Sequence, residues 1–310
     1  MIPIILDMDP GIDDAVALSI ALTNPNFDIK LLTSVAGNVS VDKTTANLLK
    51  LTTFFNRQEV PVAKGASKPL KKAFVDASYI HGASGMPGYD FETPKNLAIA
   101  QDAVSAMAET LMASVEPITV VATGSYTNIA QLIQQYPEAL SHIKRFVLMG
   151  GSLSGGNVSS VAEFNVFTDP DAADIVFKSG IDIVMIGLDV TLKALLSLQT
   201  IDDVAKLGES GKMLHQLMTA YGDTEADGKP MHDVNTICYL LAPEFYTLTD
   251  YWVDVITQGP AAGATVADTQ NRWSQGRKNV HVATDIDAAA FEKWFVAQIP
   301  NMNKQLEGEE

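Results

Sequence analysis

Ile2-Pro3-Ile4-Ile5-Leu6-Asp7-Met8-Asp9-Pro10-Gly11-Ile12-Asp13-Asp14-Ala15 joins a short apolar run to four carboxylates and then to a second apolar segment. Residues 2–6 are rich in isoleucine and too few for a core helix, which reads as a strand buried on both faces. Residues 13–22 are almost wholly apolar beyond their two leading acids and read as a buried helix. A strand, a tight turn at Pro10-Gly11 and a helix make the first half of a βα unit.

Working outward, the same alternation repeats. Apolar runs at 29–36, 60–63, 118–122, 143–149 and 183–188 are separated by helical patterns at 41–55, 96–115, 128–136 and 169–178. Continuously apolar strands between helices predict an α/β fold: an open, mostly parallel, Rossmann-like sheet flanked by helices. After residue 190 come helices at 201–221 and 232–241, short strands at 251–256, 263–266 and 280–284, and a last helix at 288–298. The tail from Asn301 is expected to fray. No Pro/Gly/Ser-rich linker and no internal repeat interrupts the chain, so residues 1–310 read as a single domain. Two segments read as mobile loops: 81–94, with four Gly or Pro before Tyr89, and the polar 222–230.

Composition narrows the function. The 310 residues are 47% apolar, enough for a large core. Acidic residues outnumber basic ones 37 to 21, a net charge of -16, which repels nucleic-acid backbones and anionic membranes alike. The only arginines are Arg57, Arg145, Arg272 and Arg277, a poor supply for a bidentate phosphate clamp. A lone cysteine, Cys238, excludes an intrachain disulfide and a multi-cysteine zinc site, and fits a reducing, cytoplasmic compartment. The first residues lack a basic n-region, so no secretory signal is expected. No run approaches the roughly 18 apolar residues that span a bilayer, so a soluble protein is expected.

Ligands of open parallel sheets bind beyond the carboxyl ends of the strands, where Asp7, Asp9, Asp13 and Asp14 fall. Four carboxylates in eight residues repel one another. The helix dipole favours the two in the first helical turn, and a hard cation, Ca²⁺ or Mg²⁺, would relieve the rest. The spacing is not that of an EF-hand, whose third ligand would be Gly11 and whose twelfth residue would be Leu18. Nor is it a dinucleotide fingerprint, because acids stand where a pyrophosphate would lie.

The D-x-D-P-G-x-D-D pattern of Asp7 to Asp14 closely resembles the N-terminal signature of the inosine-uridine-preferring nucleoside hydrolase family. Further blocks follow in order. Gly37-Asn38-Val39 resembles the family's asparagine turn, and Thr123-Gly124-Ser125-Tyr126-Thr127-Asn128 its T-G-x-x-T-N loop. Gly155-Gly156-Asn157 and Ala162-Glu163-Phe164-Asn165 resemble its ribose-binding stretch, which Asp169-Pro170-Asp171-Ala172-Ala173 follows. Met231-His232-Asp233 resembles its late histidine-aspartate pair. The resemblance covers residues 1 to 240.

That resemblance implies a calcium-dependent ribonucleoside hydrolase of purine and pyrimidine salvage, working as a homodimer or homotetramer. Breaking an N-glycosidic bond through an oxocarbenium-like transition state needs an activated water, a grip on the sugar hydroxyls and help for the leaving base. By resemblance, Asp9, Asp14, Asp233 and the Thr123 carbonyl hold the metal, and Asp9 takes the proton of the water. Asp13 and Asn165 are assigned to the 2′- and 3′-hydroxyls, Asn157 and Glu163 to the 5′-hydroxyl, groups suited to hydroxyl partners. Asn38 is the candidate to orient the water or the sugar ring, and Asp7 an anchor behind the ligands.

His232, titrating nearest neutral pH, is the candidate acid for the departing base, against the plainer role of a packed or capping histidine. It also favours the broad or pyrimidine-preferring branch over purine-selective members that stack the base between tryptophans. All three tryptophans, Trp252, Trp273 and Trp294, follow residue 250. His81, in a loop resembling the family's H-G-x-x-G, is a candidate contact to base or ribose, although Ala83 and Ser84 replace the acid of many members. Tyr221 is a candidate to close over the base. His142, His215 and His281 lack acidic or metal context in sequence and read as surface or core residues. Cys238 reads as a small buried hydrophobe.

Two rivals remain open. A haloacid-dehalogenase-like phosphatase also has a strand ending in D-x-D, but Pro10-Gly11 replaces its usual following pair and no well-placed lysine is apparent. A non-catalytic nucleoside-binding protein would keep the same pocket without turnover.

Overall fold

The computed structural model describes residues 1–308. Its strands, in chain order, are β1 (Ile2–Met8), β2 (Phe27–Ser34), β3 (Val62–Lys64), β4 (Ile118–Ala122), β5 (Ile143–Met149), β6 (Ile183–Ile186), β7 (Leu195–Leu196), β8 (Lys229–Pro230), β9 (Tyr246–Tyr251), β10 (Val253–Val255), β11 (Thr265–Ala267) and β12 (Val280–Ile286). Eight form one sheet in the order β3-β2-β1-β4-β5-β6-β12-β9, parallel throughout except that β9 runs against β12 at the edge. β7 with β8 and β10 with β11 are separate antiparallel ribbons.

Period-two alternation sorts the strand side chains into two layers. In β1, Ile4, Leu6 and Met8 pack with the helix Ile12–Thr23 on one face, while Ile5 packs on the other with Tyr126, Phe146 and Phe177. Every residue of that helix except Thr23 is buried. Its first turn, bearing Asp13 and Asp14, opens at the carboxyl end of β1. From β1 the chain builds β2 and β3 on one side, then returns to lay β4 against the other. This reversal leaves a crevice beyond β1 and β4, the place where open sheets bind ligands.

Several boundaries differ from the sequence expectation. The pattern at 96–115 yields a helix only over Ala103–Ala113, because the Asp102 side chain caps it by accepting from the Val104 and Ser105 amides. The 201–221 stretch divides into helices Leu198–Val204 and Gly208–Ala220, with Gly208 at φ +79°. The segment at 251–256 spans two strands, because Tyr246–Tyr251 pairs with β12 and Val253–Val255 with β11.

The tail expected to fray from Asn301 is helical instead: the last helix is Ala288–Glu307, through Pro300. It buries Phe291, Phe295, Ile299 and Met302 at helical spacing. Asn303 bonds the Leu207 carbonyl (2.7 Å) and the Ser210 amide (3.0 Å), which anchors the far end. Among the described residues, no helix is long and apolar enough to cross a membrane.

Candidate active site

At the switch point, the loops after β1, β2 and β4 bring the acidic turn against Asn38 and Thr123. Asp9 is fully buried. Its Oδ2 accepts from the Asn38 amide at 2.6 Å, and its Oδ1 has no hydrogen-bond partner. Glycine is required on both sides of it: a Cβ on Gly37 would stand 1.9 Å from Asp9 Oδ2, and one on Gly124 2.8 Å from Oδ1. Asp14 accepts from the Gly11 amide (3.0 Å), the Asn38 side chain (3.0 Å) and the Thr123 hydroxyl (2.7 Å). Asp7 lies deeper, its Oδ1 accepting from Thr33 (2.6 Å) and Asn128 (2.8 Å).

Oxygens of Asp13, Asp14 and Asp233, all buried, lie within 4.8 Å of one another. Burial pushes the carboxyl of Asp13 up to about 7, with the charge of Asp14 adding to it. Burial likewise raises Asp9 and Asp233, reinforced by Asp14 beside the first and by Asp13 and Asp14 beside the second. Orphaned oxygens on Asp9 and Asp13 and an all-oxygen donor set fit a hard divalent cation. Asp9, one of the expected ligands, is not in the closest triplet; Asp13, expected on the sugar, is.

Beside this floor opens a cavity whose wall includes Asp13, Asn38, Thr123, Asn165 and Asp233. The wall also carries Asn157, Glu163 and Phe164 as one group, and His81, Tyr221, Asp223 and His232 as another. Asp9 and Asp14 lie behind the lining, reached through Asn38 and Thr123.

The Asn157 group is tightly strung. Glu163 caps the helix Phe164–Thr168, accepting from the Asn165 and Val166 amides, and also accepts from the Gly151 amide at 2.9 Å. Its carboxylate therefore shapes the loop as well as facing the cavity. The next amides are also held by side-chain oxygens: Ser152 N by Thr265 Oγ1 (2.9 Å), Leu153 N by Asp189 Oδ2 (2.8 Å) and Ser154 N by Ser152 Oγ (3.1 Å). The Thr265 hydroxyl donates back to the Ser152 carbonyl at 2.7 Å. Ribbon β10–β11 thus has a structural task at the cavity. Asn165 Nδ2 donates to the Thr123 carbonyl at 2.7 Å, leaving its own Oδ1 free to accept.

In the other group, His81 Nδ1 accepts from the Ile12 amide at 3.1 Å, which puts the ring proton on Nε2. Burial, then the nearby His232, depress His81 to about 3, so it is neutral. The Tyr221 ring lies 5.3 Å from that of His81. His232 is held at both nitrogens, Nδ1 by Thr191 Oγ1 (2.7 Å) and Nε2 by Asp223 Oδ2 (3.1 Å). Burial works to lower its pKa, but the Asp223 bond and the charge of Asp13 outweigh it and raise the value. Asp223 is held below the usual carboxylate range, the bond to His232 overcoming burial.

Sequence reasoning missed Asp223, Thr191 and Thr265. Asp223 falls in the polar loop after Tyr221, but no spacing marks its partner nine residues on. Thr191 and Thr265 reach the site only through tertiary contacts. His281, read as lacking acidic context, in fact lies between Asp250 (2.5 Å) and Asp182 (2.9 Å), which neighbouring strands bring together far from the cavity.

Comparison with known proteins bears on the same residues. The family described as "Inosine-uridine preferring nucleoside hydrolase" matches residues 4–293. The non-specific ribonucleoside hydrolase RihC of Klebsiella pneumoniae is 49% identical over 295 residues, covering 94% of this chain and 96% of that one. A purine-preferring ribonucleoside hydrolase from Gardnerella vaginalis superimposes with a TM-score of 0.89 at 31% identity, covering 97% and 99% of the two chains. An inosine-uridine preferring nucleoside hydrolase from Bacillus anthracis shares the fold, with a TM-score of 0.80 at 23% identity over 97% and 100%. Matched along nearly its whole length, with the acidic turn inside the match, the chain belongs to the inosine-uridine preferring nucleoside hydrolase family.

Proposed function

We propose that this protein hydrolyses the N-glycosidic bond of ribonucleosides to ribose and free base, with broad base acceptance. The observation that carries the reading is the cavity itself: buried, under-bonded carboxylates on its floor beside amide and carboxylate side chains suited to sugar hydroxyls. No lysine or arginine is among the described residues lining it, which suits an uncharged nucleoside better than a phosphate ester. The 49% identical relative is named non-specific, which supports breadth.

Asp9, Asp14, Asp233 and the Thr123 carbonyl would hold a divalent ion, read as Ca²⁺, whose chemistry is to polarise a water and grip the sugar diol. Asp9 accepts the proton of the attacking water. The orphaned Oδ1 and the Asn38 amide on Oδ2 leave one oxygen free and fix the other. Asn38 orients that carboxylate, and Asp7 braces β1 behind it. Asp13 and the free Oδ1 of Asn165 hold the 2′- and 3′-hydroxyls, while Asn157 and Glu163 hold the 5′-hydroxyl. As the bond to C1′ breaks, the water oxygen joins C1′ and His232 supplies a proton to the leaving base, which lies against His81 and Tyr221. The chain acts as one domain, since β12 and β9 complete the sheet that β1 begins. The resemblance to the family supports a homodimer or homotetramer in the cytoplasm as the working form, and sedimentation equilibrium tests the assembly.

The deciding experiment measures ribose release from uridine, cytidine, inosine, adenosine and thymidine, with and without prior chelation. Chelator-sensitive release from the ribonucleosides, with little from the 2′-deoxy substrate, is expected. No ribose from any of them, or turnover indifferent to chelation, would overturn the reaction or the metal respectively.

A further inference from the structure

Asp223 belongs to no block of the family signature quoted above, yet it lines the cavity beside His232. Its carboxylate is divided in function. Oδ2 is tied to His232 Nε2 at 3.1 Å, while Oδ1 makes no hydrogen bond among the described residues, and the side chain keeps 28% of its exposure. An exposed aspartate would be unremarkable, but this one is mostly enclosed, held in place and aimed with one oxygen uncommitted. No side chain among the described residues bonds that oxygen. His81 accepts from Ile12 at Nδ1 and makes no bond to Asp223 from the protonated Nε2, and Lys229 spends its ammonium on the carbonyls of Met218 (2.8 Å), Thr219 (3.2 Å) and Tyr221 (2.6 Å).

Those Lys229 bonds also tie down the loop. They gather carbonyls at the end of the helix Gly208–Ala220, and the Gly222 amide bonds the Ile80 carbonyl at 3.0 Å. Asp223 is thus presented from an anchored backbone, on the His81 side of the cavity.

We propose that Asp223 is a specificity-determining residue that accepts a hydrogen bond from the N–H edge of the nucleobase. An ionised carboxylate is acceptor-only, and the common bases each offer a donor on that edge: the ring N–H of uracil or hypoxanthine, the exocyclic amine of cytosine or adenine. One acceptor therefore serves purines and pyrimidines alike and rejects a base whose donor is blocked. The assignment rests on the nucleoside-hydrolase reading, with the base beside His81, Tyr221 and His232.

The test compares kcat/KM for uridine and N3-methyluridine in the wild type, Asp223→Asn, Asp223→Ala and Asp223→Leu. Wild type is expected to favour uridine by about tenfold or more, the worth of a hydrogen bond to a charged group. That ratio should collapse toward one in Asp223→Ala and shrink at least about threefold in Asp223→Asn, which has the same volume. Equal losses on both substrates, with the ratio unchanged, would reduce Asp223 to a support for His232 and overturn the proposal. A ratio that collapses in the alanine variant but stays at the wild-type value in Asp223→Leu, which fills similar space with no acceptor, would point to space alone and overturn it too. Failure of wild type to release ribose from uridine at all would instead sink the underlying reading.

Discussion

His232 Nε2 lies 3.1 Å from Asp223 Oδ2, and the opposite nitrogen of the same ring lies 2.7 Å from Thr191 Oγ1. The imidazole is therefore fixed in orientation from two segments, nine and 41 residues away, and the carboxylate favours its protonated form. If His232 delivers a proton to the leaving base, kcat/KM is high below its pKa and falls as pH rises through it. Asp223→Asn removes the charge that supports the imidazolium, so the falling limb should move to lower pH. A limb unmoved in that variant would detach it from His232.

His232→Ala should harm nucleosides with poor leaving groups far more than a nitrophenyl riboside, whose leaving group needs no proton. Steady-state rates on uridine and the activated riboside check this. Losses of equal size would remove His232 from the acid role.

Asp9→Asn should lower kcat by at least about 10² while leaving the circular dichroism spectrum unchanged, the loss expected of a missing general base. Gly37→Ala tests the same carboxylate without touching it. A methyl placed 1.9 Å from Asp9 Oδ2 must displace it, so kcat should fall at least about tenfold, at an overpacking cost of about 1–3 kcal/mol. Normal turnover in Gly37→Ala would show that Asp9 needs no fixed position.

Metal removal should change how stability depends on pH. In the metal-free fold, Asp13 is pushed up to about 7, mainly by burial, and Asp7 to about 6, by burial against the bonds from Thr33 and Asn128. Both lie above the unfolded value of about 4. Folding then favours the protonated groups, and the stability they contribute is lost as pH rises from about 4 through 6 and 7. Chelated protein should therefore melt at a lower temperature at pH 8 than at pH 5. Calcium at about a hundred times its Kd should restore about 2.7 kcal/mol. Calorimetry reads both, and a chelated protein that is steadier at pH 8 and indifferent to calcium would contradict the cation site.

Thr265→Val keeps the shape of the side chain and deletes the hydroxyl that clasps Ser152. Uridine should lose about tenfold in kcat/KM, as it should in Asn157→Ala, because the loop bearing Asn157 loosens. 5′-Deoxyuridine, with no 5′-hydroxyl to hold, should be nearly unaffected. Equal losses on both substrates would make Thr265 a general support of the fold.

How legible the molecule was depended on the range of the interactions. The strands Ile118–Ala122 and Ile143–Met149 fall where the apolar runs at 118–122 and 143–149 put them, because a strand buried on both faces needs an unbroken apolar sequence. The sequence pattern ends the last helix at 298, nine residues short of Glu307, because its true end depends on Asn303 meeting Leu207 and Ser210, nearly a hundred residues away. The acidic turn was visible because its four carboxylates are local. That Asp9 would be clasped by Gly37 and Gly124 was not, since each arrives at the end of a different strand.

By itself, the sequence determined the α/β alternation, the buried central helix and the concentration of negative charge at the first strand's end. All of these follow from periodicity and charge within a few residues. Only the tertiary structure decided which carboxylates approach within 4.8 Å, which nitrogen of His81 carries its proton, and that Asp223, Thr191 and Thr265 serve the cavity. Those outcomes depend on hydrogen bonds between segments that the sheet's crossover brings together, and a short directional bond leaves no periodic trace in the chain.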